Sequence, residues 1–271
     1  MILIVASTKD TAGMNIAQRL IDNHEFKKIE ETFFQNPVYS KKMKGREAKL
    51  VFVNKEIVDT QFVTKFFSPK LLVFISKHRS VSGLPTLSVH TPGNFAEAEM
   101  GGIPKKVSIS PASAMRDALL QMAIEKEEMK LKYEVSYECT HHGPSLDVPT
   151  MFTELGSSLE QWGDHRAAEA VARAVVAAVT KESKYPAVLG IGGPHYNAKF
   201  TRIALGTPTA FGHIIPKYAI PRADTEIVRH CVERTVESVE SAILDWKGIK
   251  GSDKERLMAI LNKVGVSIEK I

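Results

Sequence analysis

Apolar residues along this chain fall into short unbroken runs, separated by longer stretches in which they recur every three or four positions. Ile2–Ala6, Leu50–Val53, Leu71–Ile75 and Val188–Ile191 are runs of four or five residues, the pattern of strands buried on both faces. Thr86–His90, Val107–Ile109, Tyr133–Thr140, Thr150–Leu155 and Thr209–Ile214 are further strands. In Tyr133–Thr140 polar and apolar residues alternate, which predicts one wetter face. Asp10–Asn23 reads as an early helix. Ser110-Pro111 supplies a cap and a first-turn proline for a helix to about Lys130. Ser157-Ser158-Leu159-Glu160 has capping-box spacing ahead of a long Ala/Val-rich helix ending near Lys181. Asp224 can cap a helix reaching about Trp246. Ser252-Asp253-Lys254-Glu255 opens a last helix, with Gly265 as its stop.

Strands mixed with helices predict an α/β protein of three-layer αβα type. Neighbouring strands with no helix between them make its central sheet mixed rather than fully parallel. At 271 residues with 44% hydrophobic and 25% charged positions, the chain can bury a full core, and neither a repeat nor a low-complexity linker divides it. One catalytic domain over residues 1–271 is expected, with a basic surface hairpin or loop at about 36–49. Cys139 and Cys231 stand far apart and outside any CxxC pair, so no disulfide framework or thiolate metal knuckle is indicated. The opening MILIVAST lacks a basic leader and a cleavage site and reads as a buried strand. No apolar run approaches the roughly 20 residues of a membrane span. A cytoplasmic protein is expected, and nothing in the pattern calls for a protein partner, so a monomer is expected too.

The net charge of +5 raises the odds of a polyanionic partner without establishing one. Its densest patch is SKKMKGREAK, residues 40–49.

Histidine placement is more telling. His78, His90, His141, His142, His195 and His213 each fall at or just past the end of an expected strand, where ligand crevices of open α/β sheets lie. Any one of them alone is an ordinary hydrogen-bonded structural residue; six in the same position suggest a site, and neutral imidazole is a common zinc ligand. In Glu138-Cys139-Thr140-His141-His142-Gly143-Pro144 the adjacent histidines of an extended chain point to opposite sides, one toward a site and the other bracing it. Glu138 is either an imidazole-orienting carboxylate or a surface one. Glu154 ends an apolar strand just before a Gly turn and a helix, so it is a metal ligand, a general base or a helix cap. Gly190-Ile191-Gly192-Gly193-Pro194-His195-Tyr196 is a strand-end glycine turn whose N–H groups can hold an oxyanion, or a plain turn. It is neither GxGxxG nor a P-loop. Tyr196 can stack or simply pack. Arg79 suits a phosphate or carboxylate, and Asn94 can bind substrate or hold its own turn. With no GxSxG elbow in the chain, metal-activated water is the simplest hydrolytic route.

Taken in order, His78-Arg79-Ser80, SVHTPGN (88–94), THHGP (140–144), TELGSS (153–158) and GIGGPHY (190–196) resemble the archaeal and plant-type D-aminoacyl-tRNA deacylases. The resemblance implies hydrolysis of the ester between a D-amino acid and the terminal ribose of tRNA, dependence on Zn2+, and a fold similar to peptidyl-tRNA hydrolases and nucleoside phosphorylases. It directs attention to His78, His90, His141, His142, Glu154 and His195 without settling which bind metal. The expected assignment is zinc on His90, His141 and His195, and catalysis by Glu154 as base and His142 as proton donor. Substrate contacts are expected from His78, Arg79, Asn94, Gly192, Gly193, Tyr196 and His213, and tRNA contacts from Lys41, Lys42, Lys44, Lys105 and Lys106. Two rival readings are a peptidyl-tRNA hydrolase or peptidase with the same machinery, and a non-catalytic RNA-binding protein. The second explains the charge but not the histidines.

Overall fold

The computed structural model describes residues 1–81 and 83–271. The N-terminal apolar run forms β1 (Ile2–Ser7), buried at every position. It is followed by α1 (Thr11–Asn23), β2 (Lys27–Phe33), β3 (Asn36–Met43), β4 (Arg46–Val53), β5 (Leu71–Lys77) and β6 (Thr86–His90). Next come α2 (Ala112–Glu128), β7 (Glu134–Tyr137) and β8 (Thr150–Gly156). These strands build one eight-stranded sheet in the order β2-β3-β4-β1-β5-β8-β6-β7. β4, β1, β5 and β8 run parallel, whereas β6, with β7 parallel to it, is antiparallel to β8. The sheet is therefore mixed, as adjacent strands without a crossover helix require.

The second half of the chain adds α3 (Leu159–Trp162), α4 (His165–Thr180), β9 (Ala187–Ile191), α5 (Ala198–Gly206) and β10 (Ala210–Ile215). It ends with α6 (Thr225–Glu233), β11 (Val239–Leu244), α7 (Gly251–Val264) and β12 (Ser267–Lys270). Its strands form a second, all-parallel sheet in the order β10-β9-β11-β12. On one face of the large sheet, Ile4, Ile75 and Leu155 pack against Ile16 of α1, Leu119 of α2 and Val171 of α4. On the other face, Val5, Phe74 and Phe152 lie with Leu146 beneath two short 3-10 turns at Ile57–Asp59 and Gln61–Lys65. Leu189, Ile215 and Leu244 of the small sheet bury against α6 and α7 through Ile227, Leu257 and Leu261. The two sheets meet edge to edge through residues 137–140. Glu138 N–H donates to Val89 of the large sheet, Thr140 N–H to Ile214 of the small one, and Asn197 N–H to Tyr137.

Several boundaries differ from the sequence expectation for local reasons. Helix α2 begins one residue later than expected, with Pro111 at the cap position. The Ser110 hydroxyl is taken by Thr91, and the free N–H groups of Ala112 and Ser113 are satisfied instead by the Glu237 carboxylate. The capping box closes on Ser158 and Gln161, and it serves only the four-residue α3. Gly163 interrupts the run, and Asp164 caps α4 by accepting from Arg166 and Ala167 N–H. The helix expected from Asp224 to Trp246 stops at Glu233, and its C-terminal part is strand β11. Gly265 ends α7 in the left-handed conformation, as read. Among the described residues no helix is long and apolar enough to cross a membrane.

Candidate active site

Strands β5 and β8 run in register, so Ser76 lies opposite Glu154. The antiparallel β6 brings His90 opposite Phe152, two residues back along β8. Since i and i+2 share a face of a strand, Phe152 and Glu154 point the same way. The His90 ring stacks on Phe152 at 4.8 Å, and its Nε2 lies 3.8 Å from Glu154 Oε1, beyond hydrogen-bond reach. His78 follows β5. Gly156 lies hard against it, for a Cβ there would sit 2.7 Å from that of His78. The His78 carbonyl is fixed by the Trp162 indole at 2.8 Å, and the preceding Lys77 N–H by the Asp10 carboxylate.

From these frames a buried carboxylate–imidazole network is assembled. Glu154 accepts from Ser76 Oγ at 2.7 Å and from His78 Nδ1 at 3.2 Å. Glu138 Oε1 stands 3.1 Å from the same nitrogen at ion-pair distance, and Oε2 accepts from His195 Nε2 at 2.8 Å. His78 Nε2 is hydrogen-bonded to the Tyr196 hydroxyl. Burial works against charge on every member. For His78 the two carboxylates outweigh it and hold the imidazolium well above its ordinary range; for His195, Cys139 and Glu138 do the same. Reciprocally, Glu138 and Glu154 are held below the usual carboxylate range by the imidazoles, despite burial. Glu138 is thus a central member of the site, not a surface carboxylate.

Beside this network lies a second set of imidazoles with the opposite character. His141 Nδ1 donates to the Cys139 carbonyl at 2.8 Å and His142 Nδ1 to the Gly143 carbonyl at 2.7 Å. A carbonyl can only accept, so each Nε2 presents a lone pair. Burial, reinforced by the neighbouring histidines, keeps His141 well below its ordinary range and lowers His142 to about 4, so both are neutral near pH 7. Among the described residues, neither ring nitrogen of the fully buried His90 has a hydrogen-bond partner. Ligand atoms of His90, His141 and His142 lie within 4.8 Å of one another.

This geometry revises several expectations. His141 and His142 do not point to opposite sides. A left-handed His142 (φ 41°) turns its ring back to within 4.2 Å of that of His141. His142 carries its proton toward Gly143, so it has none to give a leaving group. It groups with His90 and His141, whereas His195 groups with His141 and Cys139; the ligand atoms of either set are close enough to share a metal, and the His195 Nε2 and Nδ1 also face Glu138 and Cys139. Glu154 caps no helix, since Ser158 and Asp164 hold those positions. Gly192 N–H donates to Ile215, and its backbone turns toward Asp245, so it is not a free oxyanion donor; Gly193, also left-handed, packs on Asn197. Asn94 holds its own loop through the Gly101 and Ile103 carbonyls. Arg79 is exposed at the cleft. Lys41, Lys42 and Lys44 lie on β3 and its turn into β4, at the end of the sheet away from Ser7, Val53 and the histidines, and Lys41 is paired with Glu25. A tRNA contact there would have to involve the body of the tRNA rather than its charged end. Lys105 and Lys106 pair with Asp224 and Asp147. Sequence reasoning overlooked Asp10 and Tyr218. The first was legible only as a helix cap, and the second reaches the site through a 3.3 Å contact with Cys139 Sγ.

His213 is corrected as well. It lies inside β10, fully buried, with Nδ1 on Thr140 Oγ1 and Nε2 on the Arg234 carbonyl. Burial lowers it to about 3, so it is a neutral structural residue. Between about pH 6.5 and 3 the unfolded chain binds a proton here that the folded one refuses. Stability from this residue is therefore lost as pH falls, by about 1.4 kcal/mol per unit. His213→Gln should flatten the acid limb of stability by one proton, measured as the pH dependence of urea unfolding; an unchanged slope would assign that limb elsewhere.

Ionised carboxylates, imidazolium donors and free imidazole lone pairs around one cleft are equipment for polarising a carbonyl, accepting a proton from water and returning one to a leaving oxygen. Fold and site together define a hydrolase on an α/β frame. The family model for D-aminoacyl-tRNA deacylase matches residues 65–269, and the chain belongs to that family. Relatives named D-aminoacyl-tRNA deacylase include one from Thermococcus kodakarensis, 40% identical over 273 residues (97% of each chain). Another, from Pyrococcus abyssi, is 39% identical over 277 residues (98% of this chain, 99% of the relative). The crystal structure of a conserved protein of unknown function, AF0625, superposes with a TM-score of 0.89 at 28% identity, covering 100% of this chain and 95% of that one.

Proposed function

We propose that the protein hydrolyses the ester between a D-amino acid and the terminal ribose of tRNA, releasing the free amino acid and tRNA, and that it does so with zinc on His90, His141 and His142. The single observation that carries the chemistry is the pair of unpartnered, buried His90 nitrogens beside two imidazoles whose Nε2 lone pairs are left free by backbone-bound Nδ1–H groups. Burying such atoms unpaired is costly, and metal-ligating histidines are oriented by hydrogen bonds of this kind. Bound zinc supplies a Lewis acid that polarises the ester carbonyl and makes water easier to deprotonate.

The chain's own groups supply the proton traffic. A water oxygen attacks the carbonyl carbon and gives its proton to Glu154. The bond to the ribose oxygen breaks, and that oxygen takes a proton from imidazolium His78 through its contact with Tyr196. Glu138 holds His78 and His195 in place, and together with Glu154 it balances their two charges. Exposed Arg79 is placed to meet a phosphate. A soluble enzyme of the cytoplasm acting as a monomer fits this reading.

The defining assay is turnover of D-tyrosyl-tRNA beside L-tyrosyl-tRNA and N-blocked peptidyl-tRNA. Release of the D-amino acid with the other two spared is expected. Preferential cleavage of the N-blocked substrate would instead establish a peptidyl-tRNA hydrolase, and binding without turnover an RNA-binding protein.

A further inference from the structure

Two cavities meet at the histidines. One, about 460 Å³, is lined by Asp10, Glu56, Lys77, Arg79, Phe152 and Glu154, with His78 beside them. The other, about 320 Å³, is lined by Phe95, Glu97, Glu99, Tyr218 and Arg222. His141, His142, His195 and Met100 belong to the walls of both, so the neutral imidazoles form a partition between them.

The cavities differ in which exposed charges are left without an ion pair, although the larger one also holds His78 against the carboxylates of Glu138 and Glu154 and its lining charges nearly cancel. In the larger, Arg79 has no ion pair among the described residues, and Lys77 stands 3.7 Å from Glu56. The Asp10 carboxylate, also in that lining, is occupied by the Gly13 and Lys77 N–H groups. In the smaller, neither Glu97 nor Glu99 is ion-paired among the described residues. Arg222 offsets one of these two charges, and the charge of His195 is already met by Glu138.

An aminoacyl ester of a nucleotide has the same polarity: a compact group bearing an α-ammonium on one side of the reacting carbonyl, a larger anionic nucleotide on the other. The geometry points to a division of the substrate between the two cavities. The amino acid enters the Phe95–Tyr218 cavity, where Glu97 and Glu99 recognise its α-ammonium, and the terminal nucleotide occupies the Lys77–Arg79 cavity. The assignment rests on the deacylase reading above. Size, charge and the shared wall agree on it: the larger cavity takes the larger half, and the ester falls at the partition. Phe95, Met100 and Tyr218 give the acidic cavity apolar surface for a side chain of no fixed shape.

The test uses two stable analogues in which D-tyrosine is joined to 3′-amino-3′-deoxyadenosine 5′-phosphate through an amide, one with a free α-amine and one N-acetylated. Each is titrated into the zinc-loaded protein. The free amine should bind the wild type about tenfold tighter than the acetylated form, as a charge-assisted contact at a half-open site allows. In Glu97→Gln/Glu99→Gln that preference should vanish while the acetylated analogue binds as before. Arg79→Ala should weaken both analogues by the same factor. Equal binding of the two to wild type, undetectable binding of both, or a preference that survives the double substitution overturns the assignment. Failure of the deacylase reading would appear elsewhere, as wild-type protein that does not turn over D-tyrosyl-tRNA.

Discussion

Glu154→Gln should lower the single-turnover rate of deacylation by roughly 10²–10⁴-fold, the usual contribution of a positioned acid–base group, with little change in tRNA affinity. The substitution keeps the shape and leaves Ser76 a partner, so the fold should persist. It removes the carboxylate that sits 3.2 Å from His78 Nδ1 and 3.8 Å from His90 Nε2. A second effect separates this residue's two possible contributions. Glu154 is one of two carboxylates that raise His78, so its loss should bring His78 down toward its ordinary range. In the wild type His78 keeps its proton through neutral pH and loses it only on the alkaline side, whereas in the variant the alkaline limb of the rate profile should move to lower pH. A rate loss with that shift marks the carboxylate as both base and holder of the imidazolium; the loss alone marks the base. Bound zinc should be unchanged, because Glu154 lies outside the His90–His141–His142 trio. A normal single-turnover rate would remove Glu154 from the chemistry.

His141→Ala should cost both the metal and the activity. His141 is central in the cluster, with ring centroids 4.3 Å from His90, 4.2 Å from His142 and 4.4 Å from His195. Its removal takes away one of three nitrogen donors, and a three-ligand zinc site reduced to two binds far more weakly. Metal analysis of the purified variant should show loss of zinc. The wild type should lose activity on dialysis against a chelator and regain it with zinc. His195→Ala, by contrast, should retain its zinc, because both ring nitrogens of His195 are engaged by Glu138 and Cys139. Full activity in wild type shown to be metal-free would sink the zinc assignment. Loss of zinc from His195→Ala with retention in His142→Ala would restore His90, His141 and His195 as the ligand set.

Buried parallel strands were the most legible part of the fold. β1, β4, β5 and β9 carry continuous apolar runs because both of their faces are covered there. β2 was invisible, since KKIEETF is an exposed edge strand with one buried residue, and the basic run beyond it was legible only as a loop or hairpin. β11 was hidden because Asp224 is a genuine cap and nothing in the residues after it, short of the turn at Arg234–Ser238, marks where the helix yields to strand. At the site, histidine count and placement announced convergence, and the chain resemblance named the chemistry. Of their partners, Glu138 was legible as one of two alternatives, and Ser76, Cys139 and Tyr218 were not legible. Which histidines join depends on β6 running against β8, on the left-handed turn at His142, and on whether a residue such as His213 falls inside a strand or at its end. None of these is written in residue spacing.

The stitch at residues 137–140 means that neither sheet owns the catalytic groups. His78, His90 and Glu154 are carried by the large sheet, His195 and Tyr196 by the small one, and Glu138 by the thread between them. The active arrangement therefore exists only while the two halves are docked. A subglobal opening that parts them, with every helix and strand still intact, would pull Tyr196 from His78 and His195 from Glu138. Catalytic competence in this molecule is a property of a junction, and it can be lost at a lower free energy than that of unfolding either half.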